Sequence, residues 1–305
     1  MNHPLKHFMK IHLLAVILPG IALAAPDGAF ETPALLVGKD GKSREIRLME
    51  TTKDTFRYRE ANEPATGRFP DDGTIHLYEP QDYSAAMDLY QGRKYGEAKA
   101  KFIAIKERFQ PIQTLENSPV ALAAFYEMEC LRKLGDLEGL AAALQNFPKG
   151  TLTRETQLRQ LELYVLWDAV RTKSWDRLEA LAKERVNTRL PGDQRAQVAW
   201  CHGLALEGLN RPEEALPIYQ TAITADSGAS EEIARQAALR ILAIHKANPE
   251  VQEAIKLHNT GNENKSGKGH SGLMEAAAIA NLFELSLGAG TPLPAEFKPF
   301  LKYKR

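Results

Sequence analysis

Ala199-Trp200-Cys201-His202-Gly203-Leu204-Ala205-Leu206-Glu207-Gly208-Leu209-Asn210-Arg211-Pro212-Glu213-Glu214-Ala215-Leu216-Pro217-Ile218-Tyr219-Gln220-Thr221-Ala222 contains two helix patterns back to back. In the first, Ala199, Gly203 and Leu206 fall on one helix face, and Gly203 lets a neighbouring helix approach closely. Pro212 stands near the first position of the second helix, where its missing N–H leaves no bond unmade. Glu213 and Glu214 follow at the positive end of that helix's dipole. Ala215, Tyr219 and Ala222 then recur at i, i+4 and i+7 as a small-large-small face. The spacing predicts a helical hairpin over 195–225, closed through these two faces.

Working outward, three more hairpins can be written in parallel. The first runs from Tyr83 to Phe109, with Tyr95-Gly96-Glu97-Ala98 starting its second helix and Phe102 one turn later. The second runs from Val120 to Phe147 and turns at Gly135-Asp136, with Leu137, Leu140 and Leu144 following. The third runs from Glu155 to Glu184 and turns at Lys173-Ser174, with Trp175, Leu178 and Ala182 in the same roles. The equivalent residues Ala98, Leu140, Leu178 and Ala215 lie 42, 38 and 37 apart.

The unit around 195–225 resembles a tetratricopeptide repeat (TPR), and the likeness extends over Tyr83 to Ala225. A standard unit has about 34 residues, so the loops between these pairs are longer than usual. Met128 stands in the second unit where the family has a small residue. The first three units also lack the large residue expected early in the first helix. The expected class is thus mainly α, a TPR-like α-solenoid of helical hairpins preceded by a small all-β, barrel-like domain. The resemblance implies that the first helices of the pairs line a concave groove. Carried over residue by residue, that groove comprises Tyr83, Met87 and Tyr90, then Phe125, Glu129 and Arg132. It continues with Leu163, Trp167 and Arg171, then Trp200, Leu204 and Glu207. Aromatic residues and arginine are the types enriched at binding hot spots, and such a file suits a helix or an extended peptide.

Beyond the fourth pair, Ser230-Glu231-Glu232 is a helix start, helical pattern runs from Ala234 to Ala247, and Asn248-Pro249 opens a further helix through His258. Asn259 to Ser271 is polar and glycine-rich, which predicts a loop. Leu273 to Leu287 reads as a capping helix that ends the helical region 81–287. The remainder, 288–305, is expected to be an extended tail, with the aromatics of Phe297-Lys298-Pro299-Phe300-Leu301-Lys302-Tyr303 folded back onto the last helix.

Before Pro80 the period changes to two. Ser43 to Glu50, Thr55 to Glu60 and Thr74 to Tyr78 alternate, and Pro33 to Val37 reads as a shorter first strand. Asp40-Gly41 predicts a two-residue hairpin turn, and Asp72-Gly73 leads into the last strand. Four or five short strands over 30–79 suggest a compact barrel or half-open sheet. Gly38-Lys39-Asp40-Gly41-Lys42-Ser43 ends like a phosphate-binding loop, but Leu36 stands where its first glycine belongs and a strand, not a helix, follows.

At the N-terminus, Lys6 and Lys10 precede an apolar run that ends in Ala22-Leu23-Ala24, the pattern of a signal peptide over 1–24. The run is shorter than the ~20 residues of a membrane span, and Pro19-Gly20 interrupts it. Export to the periplasm or beyond is therefore expected, with no membrane insertion after cleavage. The remaining chain carries 37 basic and 39 acidic side chains, a balance that predicts no general attraction to nucleic acid. Cys130 and Cys201 are expected as buried free thiols, with a disulfide between them as the alternative.

Motifs for chemistry are sparse. Of the five histidines after the leader, His76, His202, His245, His258 and His270, none is paired with another at i+3 or i+4, and no HExxH motif occurs. His202 is expected as a satisfied core histidine. His258, His270 and Glu263 flank one loop, where a solvated loop is preferred to a metal clip. Gly269-His270-Ser271-Gly272 lacks the spacing and the preceding strand of a nucleophile elbow. Glu127 and Glu129, two apart on a helix, point away from each other. The expectation is a non-enzymatic protein-binding scaffold of the cell envelope, with no cofactor or metal and a protein partner. A binding protein for a cell-wall glycan or small ligand, using the same groove, is the alternative. A hydrolase ranks last.

Overall fold

The computed structural model describes residues 30–303 apart from 148, 149, 187, 227, 229 and 289. The expected leader, 1–24, lies outside the described residues. Five strands form one antiparallel sheet: β1 (Thr32–Val37), β2 (Ser43–Thr51), β3 (Thr55–Glu60), β4 (Glu63–Arg68) and β5 (Thr74–Leu77), in the order β4-β3-β2-β1-β5. The sheet is open and does not close into the expected barrel, because its two outer strands, β4 and β5, do not pair. Alternation places Ala34, Leu36, Ile46, Leu48, Phe56, Tyr58 and Ile75 on one buried face, and helices cover it, so closure is not needed to remove it from water.

One turn differs from the sequence expectation, and another was not expected from the sequence. The β1–β2 connection is a five-residue loop, since Val37 pairs with Ser43, and Gly41 N–H donates to the Gly38 carbonyl within it. The β3–β4 hairpin turns through Ala61 and Asn62, both with positive φ, as a mirror-image two-residue turn requires. Strand β4 escaped the periodicity because Pro64 and Gly67 interrupt it. Gly67 stands where it does because a Cβ there would lie 2.2 Å from the Phe56 ring.

Eleven α-helices are assigned among the described residues: α1 (Gln81–Gln91), α2 (Tyr95–Phe109), α3 (Pro119–Leu134), α4 (Leu137–Gln145), α5 (Glu155–Arg171) and α6 (Trp175–Val186), then α7 (Gly192–Gly208), α8 (Pro212–Ala225), α9 (Glu231–Ala247), α10 (Pro249–Leu257) and α11 (Lys268–Leu282). Local chemistry sets several ends. Ser118 accepts the Ala121 N–H at the start of α3, and Asp136 accepts the Gly139 N–H at the start of α4. In the α7–α8 hairpin, Tyr219 is fully buried, and a Cβ on Gly203 would meet its ring at 2.3 Å. Consecutive helices pack on each other, and alternate ones also meet: α1 on α3, α5 on α7, α7 on α9, and α9 on α11.

The sheet shares its core with the first hairpin. Leu36, Leu48 and Phe56 belong to one apolar cluster with Phe102, Ile105, Phe109 and Cys130. Phe30 meets Phe109 edge to face at 5.5 Å, and the Thr51 and Thr114 hydroxyls are 2.7 Å apart. At the other end, α11 begins at Lys268, earlier than expected, so the connecting loop is shorter than 259–271. It runs into a π-helical turn at Phe283–Leu287. The segment after 288 is not wholly extended: Lys298–Lys302 form a 3-10 turn, and Phe297 and Phe300 are buried.

Candidate functional site

The first helices of the successive pairs turn most of their expected groove residues inward. Phe125, Arg132, Trp167 and Trp200 are only 5%, 5%, 7% and 6% exposed, and Leu163 is fully covered. Their polar ends satisfy one another. Arg132 donates to both Glu129 oxygens, from Nε at 3.1 Å and from Nη2 at 3.0 Å, and to Glu232 Oε1 at 3.3 Å. The Tyr164 hydroxyl donates to Glu129 Oε1 at 2.7 Å, and Tyr90 Oη reaches Oε2 at 3.5 Å. The Arg132 guanidinium lies 5.6 Å from the Trp167 ring centre. Trp167 Nε1 donates to Gln197, whose amide exchanges two hydrogen bonds with that of Gln160. Lys133 joins at Glu232 Oε1, 3.1 Å away, and Arg93 pairs with Glu231.

This network ties α1, α3, α5, α7 and α9 together from residues 100 apart in sequence. Burial pushes the Glu129 carboxyl up, but the Arg132 guanidinium outweighs it, with Lys133 and the Tyr164 hydroxyl adding to the same effect. Glu129 is thereby held below its ordinary value. Burial works against the Arg132 charge, and the adjoining Glu129 and Glu232 more than restore it. Burial and Glu129 together push the Tyr164 phenol well above its usual range. A covered ion pair of this kind is a structural joint whose donors and acceptors are already committed.

The remaining expected groove residues are distributed as follows. Arg171 bonds Asp168 and Glu138 across the α3–α4 and α5–α6 pairs. Leu204 is half-buried against the core, and Glu207 receives the Tyr219 hydroxyl and the Arg240 guanidinium, the latter at 3.0 Å. Tyr83 and Met87 line an open cleft, about 390 Å³ in volume, where β5 runs into α1 beside α3.

Tyr126 and Arg154 complete that cleft, and sequence reasoning missed both. Tyr126 is the centre of an aromatic group: it stacks on Phe102 at 5.6 Å and meets Tyr90 at 5.2 Å and Tyr83 at 6.4 Å, both edge to face. The signal was present as Pro119, Leu122 and Tyr126 at i, i+3 and i+7, one position out of register with the face chosen from the family. Burial and the neighbouring Tyr126 push the Tyr83 phenol up, with the nearby Arg154 opposing. Arg154, just before α5, forms no ion pair among the described residues, whereas Glu79 at the rim receives the Ser84 hydroxyl at 2.6 Å. The cleft thus offers tyrosine rings, a flexible thioether and a guanidinium uncommitted among the described residues.

Cys130 and Cys201 are buried and unbonded to each other; burial pushes the Cys130 thiol up to about 12. His202 is buried, yet neither ring nitrogen has a hydrogen-bond partner, so it is not the satisfied core histidine expected. Glu127 pairs with Lys106, away from Glu129. Among the described residues no three His, Cys, Asp or Glu side chains are grouped to hold a metal ion, and no helix is long and apolar enough to cross a membrane. Compared with protein-family models, curated proteins and solved structures, the chain gives no match.

Proposed function

We propose that this chain is an exported, non-enzymatic interaction protein of the cell envelope. In this reading its hairpins form a TPR-like superhelix, and it captures a segment of a partner protein at the cleft beside α1. The alternation of helix contacts supports the superhelix, since a stack of hairpins brings first helices onto first helices. The covered Glu129–Arg132–Glu232 joint argues against a partner threading the whole concave face, because opening it would expose bonded charges at a cost of several kcal/mol, roughly.

One observation carries the reading: tyrosine rings converge on an open cleft with Arg154, which has no ion-pair partner among the described residues. Tyr and Arg are the residues that anchor protein partners, and a guanidinium with no internal partner suits a carboxylate on the incoming segment. The test places a photo-crosslinking residue at Met87 or Tyr78 in native envelopes, with exposed Lys183 as control. A discrete protein adduct at the two cleft positions, lost in an Arg154→Glu background, is expected. Equal adducts at Lys183, or adducts indifferent to Arg154→Glu, would overturn it.

A further inference from the structure

At the opposite end of the molecule, α10, the loop after it, α11 and the C-terminal turn enclose a cavity of about 970 Å³. We infer that this cavity is a binding site for a neutral oligosaccharide, independent of the cleft beside α1.

One wall is a single face of α11, where Ser271, Glu275, Ala278 and Asn281 follow at helical spacing. The facing wall is His258 and Tyr303, whose rings meet edge to face at 4.9 Å. Tyr303 is held in place, because Phe297 and Phe300 are buried just before it and Lys246 binds Glu296 at 2.7 Å. Glu275 is also fixed: His245 Nε2 lies 3.2 Å from its Oε2, and the Gln220 amide donates to its Oε1. It is therefore a pre-oriented acceptor.

The lining holds unused hydrogen-bonding capacity. The side chains of Asn259, His270 and Ser271 make no hydrogen bond to the rest of the described chain, although all three border the cavity. Its charged lining is Glu263, Glu275 and Lys265. Backbone N–H groups of its own loop hold the Glu263 carboxyl below its ordinary value, Lys265 stands beside it, and His245 faces Glu275. An anionic ligand finds no surplus of positive charge here.

Met274 and Ala277 add apolar surface to the same cavity. An aromatic wall, a small apolar floor and a surround of neutral donors and acceptors match a pyranose, which presents C–H faces and a rim of hydroxyls.

Isothermal titration calorimetry on the full chain after the leader, with triacetylchitotriose and maltotriose as probes and inorganic phosphate as control, tests this. Binding of at least one trisaccharide is expected, with Kd of about 1 mM or tighter. Ala278→Trp, at an exposed position, fills the cavity and should abolish it, while Tyr303→Ala should weaken it about tenfold and Arg154→Glu should leave it unchanged. If Ala278→Trp misfolds by circular dichroism, Ser271→Trp, also exposed, takes its place. No heat from either sugar up to about 10 mM, binding that survives the tryptophan, or a response to phosphate alone would overturn the assignment.

Discussion

Replacing Arg132 by methionine tests the reading of the covered joint most directly. The change keeps an unbranched apolar stem, shortened by two atoms, and removes two hydrogen bonds to Glu129, one to Glu232 and the contact over Trp167. Removing one member of a buried pair costs roughly 3–5 kcal/mol, because the other charge stays behind. Glu129 has one escape, which is to take up a proton. From its ordinary value of 4.5, protonation at pH 7 costs about 3.4 kcal/mol at ~1.36 kcal/mol per pH unit, which caps the charge part of the loss.

That escape gives the prediction its signature. Wild-type Glu129 has a depressed folded value, so its contribution is fully present above the unfolded value and is lost only as pH falls below about 4.5. In Arg132→Met the folded value is raised, so the variant gains stability as pH falls. Between pH 7 and pH 5 the deficit should narrow by up to about 2.7 kcal/mol. Urea unfolding followed by circular dichroism at both values measures it, and His202 titrates alike in both proteins and cancels. Glu129→Gln combined with Arg132→Met should recover much of the loss. A deficit below about 1 kcal/mol at pH 7, or one that does not change with pH, would refute the reasoning.

Three further outcomes follow from the packing. Burial holds His202 below its ordinary value of 6.5, so the unfolded chain takes up the proton first and stability falls as pH drops below about 6.5. His202→Leu should remove that slope and add about 1 kcal/mol at pH 7, because both ring nitrogens lack partners; an unchanged slope of urea midpoint against pH counts against it. Gly203→Ala drives a Cβ to 2.3 Å from the Tyr219 ring and should cost roughly 1–3 kcal/mol, whereas Gly96→Ala meets nothing within 4 Å and should gain up to about 1 kcal/mol. Native protein should leave both thiols unmodified by an aromatic disulfide reagent, with two released on denaturation; fast labelling of either in the folded state would contradict their burial.

Much of the element plan was legible in the sequence. Period two before Pro80 and period 3.6 after it located the sheet and the helices, since each period reports which residues share a buried face. Pro212 acts through its own backbone geometry, so that helix start could be read locally, whereas the cap at Ser118 was seen only in the structure. Strand β4 could not, because an edge strand tolerates Pro64 and Gly67 and needs no alternation. The sheet's failure to close was equally hidden: it depends on Phe102, Ile105 and Phe109 arriving from another element to cover its apolar face.

The candidate site shows where local reading stops. Helical periodicity placed Phe125, Glu129, Arg132, Trp167 and Trp200 in helices, and the family resemblance put them on one face of the first helices of their pairs. Only the tertiary structure decided that this face is closed, with Arg132 bonded to a glutamate 100 residues away. The tertiary structure alone also left Tyr83, Met87, Tyr126 and Arg154 around an open cleft. Periodicity reports that a face is turned from water or toward it in one element. What that face meets depends on the angle and rise between successive hairpins, which no single segment encodes.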